Sequence, residues 1–195
     1  MENSQIKLKK KIKKKIHISF FIGSLGLGGT EKQLLNLINS LDKREFQIDL
    51  YILMDKNGEL FKELDTSINV FLPKFKFRSR LKHFLNLVVN YLRIRKNKPE
   101  IIHCFLPFAY LVGGIIGVFI NHQNIIMSRR SLNNYQQKFK LFPIKKIEVF
   151  LHKRIKLIIA NAKAEKAKIE SDFENSRNVI TTAKNNSSFE SKHPL

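Results

Sequence analysis

A doubly wound, mostly parallel α/β sheet is the fold class this sequence predicts, and three observations predict it. Short apolar runs rich in β-branched and aromatic residues alternate six times with segments of helical spacing. The connections between them are a few residues long, as in strand–helix–strand units. The chain has 195 residues, 43% of them hydrophobic and 16 of them Phe, enough to bury a real core in one domain.

The elements follow in order. Residues 1–15 form a basic tail, in which seven of the nine residues from Lys7 to Lys15 are lysine. Such a block repels itself and stays solvated. It also suits attraction to an acidic membrane surface, worth about 1 kcal/mol per Lys close to it. "KIHISFFI" (Lys15–Ile22) reads as a first, buried strand. Thr30 reads as a helix N-cap with Gln33 three residues on, a capping box, and Leu34, Leu35, Leu37, Ile38 and Leu41 follow at helical spacing. "QIDLYILM" (Gln47–Met54) is a second strand, "GELFKELD" a short helix and "INVFLP" (Ile68–Pro73) a third strand. From Ser79 to Lys98 a helix places Leu81, Phe84, Leu85, Val88, Tyr91 and Leu92 along one face, the one expected to cover the sheet. "EIIHCFL" is a fourth strand, followed by an apolar helix through Gly113 and Gly114. "NIIMS", the helix "PIKKIEVFLHKRI", the strand "KLIIANA" and the helix "AEKAKIESD" complete the alternation. The ordered domain spans 16–175, and 176–195 is polar, rich in Asn and Ser, and reads as loop or disorder. There is no internal repeat.

Charge narrows the partners. Lys and Arg number 36 against 16 Asp and Glu, a formal net charge of +20. That excess favours anionic partners: nucleic acid, acidic lipid or phosphorylated substrates. An AT-rich coding sequence, which inflates Lys, Asn, Ile and Phe, is the competing cause. Cys104 is the single cysteine, which excludes an intramolecular disulfide and a zinc cluster and makes a reducing, cytoplasmic setting the default. The basic start resembles a signal peptide, but its apolar part is short, contains His17 and lacks a small-x-small cleavage site. Ile101 to Ile120 is 20 residues without a charge, the length that spans a bilayer. His103, Pro107 and the strand-like first half favour a buried strand running into a buried helix, and a membrane-spanning protein stays as the alternative.

Between the first strand and the first helix lie Gly23, Gly26, Gly28 and Gly29. In open α/β sheets ligands bind beyond the carboxyl ends of the strands, where this loop falls. Glycine allows close backbone approach, and a helix N-terminus offers unpaired N–H groups with a partial positive charge, so a phosphate or diphosphate is the natural guest. Tight strand–helix packing is the structural alternative. No Lys-Ser or Lys-Thr pair follows the glycines, which excludes a P-loop and argues against kinase or GTPase chemistry. A dinucleotide fingerprint is broken, because Glu31 stands at its third glycine, although Asp55 could imitate the ribose-binding acid.

At "GGTE" (Gly28–Glu31) the sequence resembles the N-terminal domain of GT-B glycosyltransferases, in particular the retaining glycosyltransferase family 4. "KPEIIHCFLPFAYLVGGIIG" resembles the family's P-D-[IV]-[IV]-H segment and the small-residue helix after it. "NIIMSRRSLNN" is similar to the fifth strand and loop of a bacterial subset carrying Arg there, and "LIIANAKAEK" to the sixth strand with its [AS]-N-S-x-A turn. The resemblance runs from about Lys15 to Asp172 and implies a Rossmann-like half of a GT-B fold.

What it further implies is transfer of a sugar from a nucleotide-diphosphate sugar to a cell-envelope glycan or lipid-linked acceptor, with retention and without a cofactor or metal. The backbone amides of Gly28 and Gly29 would face the donor diphosphate. His103 would line the acceptor cleft, or else be a structural residue. Many relatives carry His after the fifth strand; here Arg129 and Arg130 stand there, to bind a phosphate on donor or acceptor or merely to cover the surface. No catalytic base is named. The family's second domain supplies the nucleotide pocket and an E-x7-E pair, which do not follow in this chain; a truncated gene, a subunit of a split enzyme with a separate C-terminal-domain partner, or a repurposed binding domain would each account for that. This chain alone is then expected to be inactive. Location would be cytoplasmic, peripheral on the inner membrane, with Arg78, Arg80, Lys82, Arg93, Arg95, Lys96 and Lys98 as two basic clusters flanking the apolar helix face. A nucleic-acid-binding module is the remaining alternative, but no RRM, zinc-finger, KH or helix-turn-helix pattern appears.

Overall fold

The computed structural model describes residues 14–54, 58–75, 81–129, 144–160, 163–172 and 179–181. The lysine tail up to residue 13, Asp55, Arg78, Arg80, Arg130 and the stretch after Thr181 lie outside the described residues.

The strands are β1 (Ile16–Ile22), β2 (Phe46–Ile52), β3 (Asn69–Phe71), β4 (Ile101–Phe105), β5 (Ile125–Arg129), β6 (Leu157–Ala160) and β7 (Val179–Thr181). They form one sheet in the order β3-β2-β1-β4-β5-β6-β7, every neighbouring pair parallel. The helices are α1 (Gly29–Ser40), α2 (Leu81–Asn97), α3 (Pro107–Phe119), α4 (Ile144–His152) and α5 (Lys163–Asp172), and Glu59–Glu63 forms a short 3-10 turn. This is the doubly wound parallel α/β sheet that the sequence predicts.

Six of the seven residues of β1 are buried, because a parallel strand is covered on both faces. Alternate side chains therefore feed two cores. Ile18, Phe20 and Ile22 join Leu34, Leu35 and Ile38 of α1 on one face. On the other, Phe21 meets Ala109, Tyr110 and Ile116 of α3, Leu151 of α4 and Ile169 of α5. Phe21, Tyr51 and Phe71 stack across three strands at 4.6 Å per step, and the Arg93 guanidinium caps the stack 5.1 Å from the Phe71 ring. The small residues of α3 let it approach the sheet: a methyl on Gly113 would come within 2.5 Å of Cys104 Sγ, and one on Gly117 within 2.5 Å of Ile125 Cδ1.

The amino ends of the strands hold a buried polar cluster. His17 Nε2 lies 2.9 Å from Asp49 Oδ2, and Asp49 also accepts the Asn69 and Asn97 side-chain amides at 3.0 and 2.9 Å. Its hydrogen bond to Asp49 raises the His17 pKa above the usual value against the effect of burial. Burial alone would raise Asp49; its bonds to His17, Asn69 and Asn97 outweigh this and hold it low.

The structure corrects three readings and bears out a fourth. Val179–Thr181 is a seventh strand, paired with β6, where a loop or disorder was expected; three β-branched residues are too few to show a period. Residues 59–63 are 3-10 rather than α-helical. The uncharged stretch Ile101–Ile120 divides, as expected, into a strand and a helix: β4 and the 13-residue α3, about 20 Å long at 1.5 Å per residue. No helix among the described residues is long and apolar enough to cross a membrane. Finally, the apolar stripe of α2 covers the sheet only at its edge: Leu81, Phe84, Val88 and Leu92 are exposed and Leu85 is half-buried, whereas Tyr91 packs on the core beside Leu87 and the buried Ile94.

Candidate functional site

The strand order turns back between β1 and β4, so the loops leaving these neighbours diverge and open a crevice at the carboxyl edge of the sheet. The glycine loop after β1 forms one wall. Its first residues are held down: Met54 N–H donates to the Gly23 carbonyl at 2.8 Å, and Leu25 is wholly buried among Leu34, Leu35 and Leu60. Its last residues, Leu27, Gly28 and Gly29, are exposed.

The N-cap of α1 is Gly28, with extended backbone and no side-chain cap, so the expected capping box at Thr30 and Gln33 does not form. Instead the helix begins two residues earlier than that reading placed it. The amides of Gly29, Thr30 and Glu31 are first-turn donors that a helix cannot satisfy internally. A Cβ on Gly29 would meet nothing within 4 Å, so there is open space beside these donors. The Glu31 side chain folds back against Gly28, where a Cβ would collide with its carboxylate. A carboxylate at a helix N-terminus is favourable, and it marks the place an anion would take.

Gly58, which the sequence reading passed over, fixes this loop. A methyl there would overlap the Leu25 carbonyl and come within 2.5 Å of Gly26 N. Leu60 N–H, two residues on, donates to the same carbonyl at 3.3 Å.

On the other side of the crevice, Leu106 is the N-cap of α3 at φ 71° and ψ 155°, a conformation that costs a non-glycine residue roughly 1–3 kcal/mol. It is locked by its N–H to the Ser128 carbonyl at 3.2 Å and by its own carbonyl, which accepts from Tyr110 N–H at 3.0 Å. Strained backbone held this firmly clusters at functional sites.

His103 is only 9% exposed. Its ring lies 5.5 Å from Phe20 and 4.5 Å from Phe105, and its Nε2 shares a 2.8 Å hydrogen bond with Ser128 Oγ. It sits on the α1 face, two positions short of the end of β4. Arg129 ends β5 and is 3% exposed, so it covers no surface. Its Nε and Nη1 are buried without a hydrogen-bond partner among the described residues. Tyr110, Glu148 and His152 are buried near it, with the Tyr110 and His152 rings 5.7 Å apart. Burial, and then the Arg129 charge, push His152 down to about 4, so it is neutral at ordinary pH. Burial and the charge of Glu148 hold Tyr110 well above the usual phenol value. Beside the crevice, beyond β2 and β3, Leu53, Met54, Pro73, Phe75, His83 and Phe108 line a mostly apolar cavity of about 250 Å³. Among the described residues no three His, Cys, Asp or Glu side chains come together as a metal site.

A parallel sheet turning back at β1/β4, with an open glycine-capped helix N-terminus at that point, defines a Rossmann-like domain of the GT-B kind. Comparison with known proteins makes the assignment narrower. The chain belongs to Glycosyltransferase Family 4, whose family model matches residues 27–185. Solved structures share the fold at low identity. MurG of Acinetobacter baumannii aligns with a TM-score of 0.57 at 14% identity over 92% of this chain and 48% of that one. Anabaena Alr3699/HepE, in complex with UDP and glucose, gives 0.63 at 14% over 85% and 43%. A putative UDP-N-acetylglucosamine 2-epimerase from Listeria monocytogenes gives 0.60 at 12% over 86% and 44%. This chain thus spans less than half the length of each of these structures. A search of curated protein sequences returns no match.

Proposed function

We propose that this chain is the acceptor-side half of a glycosyltransferase that moves a sugar, with retention, from a nucleotide-diphosphate sugar to a cell-envelope glycan or lipid-linked acceptor at the cytoplasmic face of a membrane. The observation that carries the reading is the α1 N-terminus. Exposed Gly28 and Gly29 present first-turn amides to open space beside the switch crevice. Donors fixed there stabilise the negative charge that grows on a departing diphosphate, without reorganising during the reaction. The complex of HepE with UDP and glucose supports the donor class.

In this reading Glu31 yields its place to the diphosphate. Arg129 supplies positive charge from beneath the carboxyl end of β5, and Arg130 is its partner for a phosphate. His103 acts from inside the sheet, orienting Ser128 and the β4 turn, so its contact with the acceptor is indirect. A second domain, in cis or as a separate subunit, closes the crevice and holds the nucleoside.

Titration of the isotope-labelled chain with UDP or inorganic pyrophosphate tests this. The amide signals of Gly28 to Glu31 should shift with weak affinity, and Gly29→Val, which fills the open space, should abolish the shifts with the fold intact. Shifts confined to another surface would overturn the donor assignment. Robust sugar transfer by this chain alone would overturn the half-enzyme reading.

A further inference from the structure

The core face of β5 ends in a charge. Ile125, Met127 and Arg129 alternate onto that face, and the first two pack in the core with Cys104 and Tyr110. Arg129 stands opposite Ala160 of β6, a side chain small enough to leave room for a long one beside it. The residue is 3% exposed. Its charge is felt by Tyr110 on α3 and by His152 on α4, and Tyr110 also feels Glu148, one turn before His152. This inner station serves a cation poorly. Among the described residues, Nε and Nη1 are buried without a hydrogen-bond acceptor, the Tyr110 hydroxyl is buried without a partner, and none of the ion pairs includes Arg129. A buried donor without an acceptor costs the full desolvation of that group, and a guanidinium cannot escape the cost by losing its proton.

The same residue borders the switch crevice. Leu106 N–H donates to the Ser128 carbonyl at 3.2 Å, which ties the end of β5 to the strained turn that opens α3. Arg129 is the next residue and the last of β5, at the carboxyl edge of the sheet. Its side chain is unbranched up to the guanidinium and rotates between staggered positions. Rotation about its own bonds therefore carries the charge from beneath that edge to above it, with the backbone in place.

We propose that Arg129 has two stations, an inner one among Tyr110, Glu148 and His152 and an outer one in the crevice, and that a phosphate group of the ligand selects the outer. Phosphate oxygens accept paired N–H bonds from the planar guanidinium, so the move exchanges unpaired donors for paired ones. Glu148, wholly buried, brings an opposite charge to the inner cluster and keeps that station accessible. The ligand shifts the balance only by the difference in its interaction with the two stations, and in the inner one the charge is turned away from it. The inference rests on the sugar-donor reading for the arrival of a phosphate, and adds the residue that moves to meet it. A donor diphosphate and a phosphate on the acceptor share this chemistry.

His152 reads the move, because burial and the Arg129 charge hold it down to about 4. Its carbon-bound imidazole protons are titrated in the isotope-labelled full chain, alone and with saturating UDP or uridine. UDP should raise the midpoint, while burial keeps it below 6.5; uridine, which has no phosphate, should leave it unchanged. In Arg129→Met the midpoint should already be raised, UDP should add nothing, and UDP affinity should fall roughly ten-fold, as expected for one charge-assisted contact. Arg129→Lys keeps the charge without the fork and should recover part of that affinity. Where Arg129→Met fails to fold, the Arg129 Nε–H resonance, identified by its absence from Arg129→Lys, reads the same event and should shift with UDP and not with uridine. The amides of Gly28 to Glu31 report phosphate arrival separately. Shifts there with His152 and the Nε–H unmoved, or an equal His152 response to UDP in Arg129→Met, would overturn the two stations and leave the glycine-loop reading standing. No response at either place would overturn both. A His152 response that appears only when inorganic phosphate is added at saturating UDP would support the two stations and assign the phosphate to the acceptor.

Discussion

Substituting Gly58 by Ala tests how the glycine loop is held. The backbone of Gly58 is at φ −69° and ψ 163°, where alanine is comfortable, so conformational freedom does not require glycine there. By itself the change would stabilise the protein by about 0.4–1 kcal/mol, through a less flexible unfolded chain. Contact works in the opposite direction. The added methyl would overlap the Leu25 carbonyl and crowd Gly26 N, both main-chain groups that cannot rotate away. Leu25 in turn is fixed by its buried side chain and by the bond from Leu60 N–H. Overpacking of this kind costs about 1–3 kcal/mol. Set against the gain, the net loss is up to about 2.6 kcal/mol, which for a chain of this size lowers Tm by up to roughly 10 °C, at about 2–4 °C per kcal/mol. The comparison is Gly26→Ala, whose Cβ would meet nothing within 4 Å and whose φ is not positive. That variant should keep Tm or raise it slightly. Differential scanning calorimetry of the two, with the amide titration by UDP, separates the effects: Gly58→Ala should lose stability and loop shifts together. A Gly58→Ala midpoint equal to that of Gly26→Ala, which shares the unfolded-chain gain without the contact, would refute the view that residue 58 clamps the loop.

Leu25→Ala, at a site with no exposure, should cost about 2–5 kcal/mol by urea unfolding and weaken the same titration. Stability should peak near pH 6.5. His152, held down to about 4, has its proton in the unfolded chain first, so its contribution is lost as pH falls from 6.5, on the order of 3 kcal/mol by pH 4 at ~1.4 kcal/mol per pKa unit. His17, held above 6.5, contributes fully below that value and loses its contribution as pH rises through its folded-state pKa; urea midpoints at pH 4.5, 6.5 and 9 that rise monotonically would contradict this pairing. Arg129→Met should raise the His152 pKa from about 4 while burial keeps it below 6.5, read from imidazole carbon-bound proton shifts. An unchanged His152 titration would show that the cation does not reach it.

The sheet was legible in the sequence because its signal is redundant. Each buried parallel strand repeats the same apolar run, and the helices between them carry a separate period, so errors of a residue or two at boundaries do not alter the topology. β7 escaped because three residues carry no period. The N-cap of α1 was misplaced because Thr30 has the side chain that caps prefer, whereas Gly28 caps with backbone geometry alone. Gly58 was hidden for a related reason. It follows Asn57 in an Asn-Gly pair, the ordinary signal of a turn, and nothing in a sequence says that a turn lies against the carbonyl of a residue 33 positions earlier.

Helix α2 is the instructive failure. Its apolar residues have the period of a core-facing helix, and periodicity reports that one face is apolar without saying which way it points. The deciding residues are polar. Asn86, Asn90 and Asn97 follow a similar spacing on the other side, and each has a specific partner: backbone amides at Lys74 and Phe75, the Arg93 guanidinium at 3.3 Å, and Asp49. Exposing the stripe costs roughly 25 cal/mol for each Å² of apolar surface left in water, and the sequence tolerates that cost along four residues in register. The roll of α2 is therefore set jointly by these asparagines and by Leu87, Tyr91 and Ile94 on the core, and Phe84 and Leu92 stay outside because burying them would strip both sets of their partners.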